Sequence, residues 1–175
     1  MTKQELCKRI YEISHLHGDF LLRSGQRSNE YFDKYRFESQ PALLLEIAKQ
    51  MAPLIPKDTE ILAGLELGGV PIATALSLQT GLPVTFVRKK AKEYGTCRFA
   101  EGLDIRNKRL CVIEDVITTG GQVVQSTQDL RGAGAFVSHV LCVIHRGKIP
   151  EPSLVNIQLE LRSLFTLEEL NLWGR

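Results

Sequence analysis

Hydrophobic and polar positions divide the chain into alternating helical and extended stretches. After Thr2-Lys3-Gln4-Glu5, a capping-box pattern, Leu6, Ile10 and Ile13 recur at helical spacing and predict an amphipathic helix reaching up to Gly18. His15 and His17 fall near its end, where such a pair reads as helix-end cations or surface residues rather than as ligands. Residues 20–33 predict two short strands joined by a polar turn that contains Gly25. Ser39 and Pro41 open a second helix with Leu44, Ile47, Ala48, Met51 and Leu54 on its apolar face and Pro56 at its end.

The second half repeats one theme. Residues 60–65 predict a strand, Glu66-Leu67-Gly68-Gly69 a turn, and Val70 onward a helix closed near Gly81. Residues 83–87 predict another strand, followed by a long polar stretch to Gly102 without periodicity. Leu110-Cys111-Val112-Ile113 is an unbroken apolar run, as expected of a strand buried on both faces in a parallel sheet. A helix through Val123, Val124, Thr127 and Leu130 ends at Gly132 and Gly134, and residues 135–144 form the next strand. Residues 157–165 predict a last strand, with Thr166-Leu167-Glu168-Glu169 capping a final short helix. Such alternation predicts an α/β fold, a mostly parallel central sheet flanked by helices. No repeat or interdomain linker interrupts it, so residues 1–175 are expected to form a single domain.

Composition narrows the function classes. A formal charge of +2 is too small to argue for nucleic acid, and the one basic cluster, Arg88-Lys89-Lys90 with Lys92, needs a local explanation. The four cysteines, Cys7, Cys97, Cys111 and Cys142, are far apart, which argues against a zinc or redox motif; Cys111 and Cys142 sit in apolar runs expected to be core. Charges interrupt the N-terminal apolar residues, so neither a signal peptide nor a membrane span is expected, and a reducing cytoplasm is the default location.

The chemistry concentrates after Ile113. Small residues Thr118, Thr119, Gly120 and Gly121 let backbone N–H groups and a helix N-terminus approach an anion. Glu114 and Asp115 would repel a phosphate placed against them, so they suit a hydroxyl-rich group or a cation; a sugar phosphate, with Mg²⁺, meets both demands. Taken alone, Thr-Thr-Gly-Gly and Gly68-Gly69 are also ordinary turns, the basic run a solvated loop, and Arg146 a surface charge. Tyr31 and Phe32 divide evenly between core and site.

The whole run from Leu110 to Gln122 closely resembles the phosphoribosyl-diphosphate (PRPP) motif of type I phosphoribosyltransferases. That resemblance implies that Glu114 and Asp115 hold the ribose hydroxyls and that Val116, Ile117, Thr118, Thr119, Gly120, Gly121 and Gln122 wrap the 5′-phosphate. It is neither a Walker loop nor a dinucleotide fingerprint. Arg88-Lys89-x-x-Lys92 resembles the lid of orotate phosphoribosyltransferases, with Tyr94 where many members carry His. Phe20 to Asp33 resembles their N-terminal hood, here residues 1 to about 36, although Asn29-Glu30 departs from the expected Pro-Tyr. The resemblance implies that Lys89 and Lys92 bind pyrophosphate, with Lys89, Lys92 and Asp115 in catalytic roles. It puts Arg88 in a neighbouring subunit's site and Arg23 and Tyr94 on phosphates, while Thr118, Arg146, Tyr31 and Phe32 place orotate. Leu67-Gly68-Gly69 corresponds to the pyrophosphate loop; some members carry Tyr-Lys at 67–68. The expected partners are PRPP and orotate in a homodimer with shared sites, and the expected cofactor is Mg²⁺ held through PRPP. A phosphoribosyltransferase for a purine or uracil, or a PRPP-binding regulator, are the alternatives.

Overall fold

The computed structural model describes residues 1–22, 25–91 and 98–173. Helix α1 (Lys3–Ser14) starts with the predicted capping box: Thr2 accepts from the Glu5 N–H, and the Glu5 carboxylate accepts from the Thr2 N–H. It stops a turn earlier than its apolar spacing predicts. The Ser14 carbonyl accepts the Asp33 N–H at 2.8 Å, so the chain leaves the helix for an antiparallel hairpin of β1 (His15–Leu21) and β2 (Arg27–Phe32). His15 is thus both the C-cap of α1, its N–H donating to the Tyr11 carbonyl, and the first residue of β1, and His17 lies on the strand.

A one-turn helix, α2 (Tyr35–Glu38), leads into α3 (Pro41–Met51), which buries Leu43, Ile47, Ala48 and Met51. Strand β3 (Ile61–Leu65) feeds α4 (Gly69–Thr80), and Gly81 closes that helix in the left-handed conformation. Strand β4 (Val84–Val87) and the short β5 (Ala100–Glu101) follow. Beyond them come β6 (Arg109–Ile117), α5 (Gly121–Gly132), β7 (Phe136–His145), the one-turn α6 (Pro152–Val155), β8 (Glu160–Thr166) and α7 (Leu167–Trp173). The last strand starts at Glu160, not Ile157: α6 and a turn with Gln158 at φ 54° occupy the segment before it. Thr166 and Glu169 make the predicted reciprocal cap of α7.

Six strands form one sheet in the order β5-β4-β3-β6-β7-β8, parallel except for β4-β5. Both faces are covered. Leu6, Ile10, Phe37, Ile47, Ile72 and Phe165 belong to one apolar cluster; Leu65, Val112, Val123, Leu130 and Val140 belong to another. Such burial on both sides is why β3, β6 and β7 read as apolar runs rather than alternations. Cys7, Cys111 and Cys142 are buried within these clusters. Among the described residues no helix is long and apolar enough to cross a membrane.

Candidate functional site

The strand carboxyl ends of β3, β6 and β7 converge on one edge, where open α/β sheets bind ligands. Strand β6 is longer than its apolar run, because pairing with β7 continues through Val116↔Ile144 and Ile117↔His145. Glu114 and Asp115 therefore lie inside the strand rather than after it.

Next comes the phosphate-type loop. Thr118 and Thr119 are exposed, and Gly120, at φ 70°, caps α5 without a side-chain hydrogen bond. A Cβ at Gly120 would stand 3.0 Å from Leu154 Cδ2, and Ser153 Oγ donates to the Thr119 carbonyl at 2.7 Å, so α6 braces the loop from behind. Gly121 and Gln122 in the first turn are exposed, leaving the helix N-terminus open to an anion.

The turn between β3 and α4 approaches the same place. A Cβ on Gly68 would fall 1.6 Å from Asp115 Oδ2, and one on Gly69 would fall 2.2 Å from the Ile113 carbonyl oxygen. Gly69 excludes any side chain while α4 keeps this approach to β6, because the obstacle is backbone, whereas a side chain at 68 would have to displace the Asp115 carboxylate. Leu67 is exposed at the tip, and Glu66 Oε1 accepts the Lys89 N–H at 2.7 Å, tying this turn to the start of the basic segment.

The acidic pair sits in a buried charge cluster that the motif does not announce. Asp115 has no exposed surface, and Lys34 Nζ lies 2.6 Å from its Oδ2. Glu38 of α2 is also buried beside it. Burial, then the Asp115 charge, pushes Glu38 up to about 9; burial and hydrogen bonding with Asp115 push Glu114 up to about 9. Burial opposes ionisation of Asp115 too, yet hydrogen bonding with Glu114 and the Lys34 ammonium hold it below the usual carboxylate range. Burial likewise works against the Lys34 charge, but the hydrogen bond and charge of Asp115 outweigh it and raise its pKa. Burial thus favours the protonated forms of Glu38 and Glu114, while the Lys34 ammonium favours the ionised form of Asp115.

On the hood side, Arg146 follows β7 and its N–H donates to the Ile117 carbonyl at 2.8 Å, which sets it beside Thr118. Its guanidinium lies 5.9 Å from the Phe32 ring centroid, and Arg146, Tyr31 and Phe32 line a cavity of about 470 Å³ together with His15, Glu30 and Asn171. Three of the four residues expected to place a base thus meet in one cavity, with Thr118 at the adjoining strand end. Arg88 is exposed, and Lys89, whose N–H donates to Glu66 of the β3–α4 turn, also borders a separate hollow with Phe99, Gln128 and Asp129. Arg23, Lys92 and Tyr94 lie outside the described residues.

Sequence reasoning missed Lys34 and Glu38. Both belong to or adjoin a single helical turn, too short for periodicity to show which side faces inward. A charged residue on each side of buried Phe37 and the Asp-Lys-Tyr run was the only available hint.

Two glycine-headed helix N-termini, an acidic pair and a guanidinium at one sheet edge define a phosphoribosyltransferase fold, and residues 36–156 match the phosphoribosyl transferase domain family model. An orotate phosphoribosyltransferase from Nocardioides sp. (strain ATCC BAA-499 / JS614) is 53% identical over 95% of this chain and 93% of its own length. One from Methanocella arvoryzae is 40% identical over 87% of each. Among solved structures, Mycobacterium tuberculosis H37Rv orotate phosphoribosyltransferase with Fe(III) dicitrate superposes with a TM-score of 0.84 at 30% identity, covering 96% of this chain and 98% of that one. The same enzyme in complex with PRPP gives 0.82 at 26% identity, covering 97% and 98%. The chain belongs to the phosphoribosyltransferase family and, within it, to the orotate phosphoribosyltransferases.

Proposed function

We propose that this chain is a cytoplasmic enzyme of pyrimidine nucleotide synthesis that converts orotate and PRPP reversibly to orotidine 5′-monophosphate and pyrophosphate. The observation that carries this reading is the meeting of Arg146 and Phe32 in a cavity at the strand end that adjoins the phosphate-type loop. A guanidinium offers the forked donors that a carboxylated pyrimidine requires, and an aromatic face suits its ring. The M. tuberculosis relative solved with PRPP supports the ribose-phosphate half.

In this reading the N-terminus of α5 takes the 5′-phosphate, with Val116 to Gln122 around it, and the N-terminus of α4 at Gly68-Gly69 takes the pyrophosphate. Asp115 and Glu114 hold the ribose hydroxyls, which exchange with Lys34 for the Asp115 oxygen. The ring N–H nitrogen of orotate gives up its proton, to the departing pyrophosphate or to solvent, and bonds to the anomeric carbon as the carbon–oxygen bond to pyrophosphate breaks and its electron pair leaves with the oxygen. Positive charge then develops on the ribose and negative charge on the leaving group. Lys89 and Lys92, with Arg23 and Tyr94, meet the phosphate charges, and Thr118, Tyr31 and Arg146 hold the base. Mg²⁺ would neutralise pyrophosphate; it prefers oxygen donors and keeps several waters, so PRPP's own oxygens, with Asp115 and Glu114 behind them, suit it. Closure of residues 88–102 excludes water, and Arg88 acts in the site of a second copy, so the whole chain works as one domain within a homodimer.

The test is turnover with Mg-PRPP and, separately, orotate, uracil, adenine, hypoxanthine and guanine. Orotidine 5′-monophosphate from orotate alone is expected. Turnover of adenine without orotate would overturn the base assignment, and saturable PRPP binding without any turnover would make the protein a regulator.

A further inference from the structure

We propose that His15, His17 and Glu30 form a binding site for a borderline-soft divalent transition ion of the Zn²⁺ class, separate from any Mg²⁺ that accompanies PRPP. Alternate residues of a strand point to the same face, so His15 and His17 on β1 share one side of the hairpin. Register places Glu30 of β2 directly opposite His17. The carboxylate spans the two rings: Oε2 is 3.2 Å from His15 Nε2 and Oε1 is 3.9 Å from His17 Nδ1. The imidazole centroids are 4.7 Å apart and edge-on, and one donor atom from each of the three residues lies within 4.8 Å of the others.

An ion bound at about 2.0–2.1 Å by each donor needs donors roughly 3–3.4 Å apart, so the cluster must contract by about an ångström, within the reach of side-chain torsions. His17 and Glu30 are mostly exposed and can make that adjustment, while His15 is mostly buried and rests on Tyr11, with ring centroids 4.7 Å apart. One donor is fixed and two are mobile, and water completes the coordination. Two imidazoles and one carboxylate suit Zn²⁺, Ni²⁺ or Cu²⁺; Mg²⁺ and Ca²⁺ demand oxygen sets that this cluster does not offer.

The site lies at the open end of the hairpin, where His15 pairs with Phe32, away from the turn that joins the strands. A bound ion would clip β1 to β2 at that end. His15 and Glu30 also line the cavity shared by Arg146, so the clip would form part of that cavity's wall.

The test is calorimetric titration of the full chain with ZnCl₂ in a phosphate-free buffer, alongside thermal melts. One Zn²⁺ per chain is expected, with a higher Tm in its presence and no competition from millimolar Mg²⁺. His17→Ala should weaken binding by about tenfold or more and abolish the Tm increase; its exposed side chain means that its metal-free melt should match wild type. His15→Ala and Glu30→Gln should weaken the same event. A Cys97→Ser variant should bind as wild type does. Equal Zn²⁺ affinity in wild type and His17→Ala, loss of binding in Cys97→Ser, or displacement by Mg²⁺ would each overturn the proposal.

Discussion

Lys34 Nζ stands 2.6 Å from Asp115 Oδ2, pairing the residue after the hood hairpin with a carboxylate that has no exposed surface. Removing one member of a buried pair leaves the other charged and unpaired, which typically costs about 3–5 kcal/mol. Lys34→Met should therefore lower unfolding free energy in urea by an amount near the low end of that range, because Lys34 itself is partly exposed. Adding Asp115→Asn should restore most of the loss, since the orphaned charge is gone. Urea titration of both single variants and the double variant gives the coupling; a Lys34→Met protein as stable as wild type would show that the pair contributes nothing.

Glu38 and Glu114 predict a particular pH profile. Burial raises both from an ordinary 4.5 to about 9. Below about pH 4.5 the folded and unfolded chains are both protonated at these groups. Between that point and about pH 9 the unfolded chain releases protons that the folded chain retains, so stability falls as pH rises through the window and levels off above it. Glu38→Gln cannot ionise and should be more stable than wild type at pH 8, with no difference near pH 4. Thermal melts from pH 4 to 9 check this; parallel curves for the two proteins would remove Glu38 from the account.

Three glycines separate packing from binding. Gly69→Ala drives a Cβ into the Ile113 carbonyl, a backbone atom that cannot step aside, so a loss of about 1–3 kcal/mol or more is expected. Gly68→Ala meets the Asp115 carboxylate instead, and should raise the KM for PRPP by displacing that side chain. A Cβ at Gly121 meets nothing within 4 Å, so Gly121→Ala should fold with unchanged Tm while raising the KM for PRPP, because the new methyl stands over the open α5 terminus. Melts and initial rates distinguish the three; unaltered PRPP kinetics in Gly121→Ala would move the phosphate away from α5.

The sheet was legible because its strands are doubly buried: Leu110 to Ile113 and residues 135–144 read as apolar runs, and Gly81 and Gly120 mark where helices close or open. Boundaries set by distant partners were not. Nothing local to residues 10–18 foretells that Asp33 will capture the Ser14 carbonyl, so the helical spacing carried the first helix too far. The acidic pair was found, but its burial against Lys34 and Glu38 depends on a one-turn helix whose inward face no period reveals. The histidines were visible as a pair, whereas Glu30 joined them only through the hairpin register.

In the proposed reading, base selection turns on Arg146. Its guanidinium faces Phe32 from the end of β7, and a charged hydrogen bond to a carboxylate is worth about 1.5–3 kcal/mol, or roughly ten- to a hundredfold in affinity. Arg146→Ala should raise the KM for orotate by that factor and leave the KM for PRPP nearly unchanged. Arg146→Lys keeps the charge without the fork and should fall between the two. Uracil lacks the carboxylate, so its weak use, if measurable, should be insensitive to Arg146→Ala. Steady-state kinetics with each base decide the matter: an unchanged orotate KM in Arg146→Ala would place the carboxylate elsewhere and leave the Arg146 and Phe32 contact as packing alone.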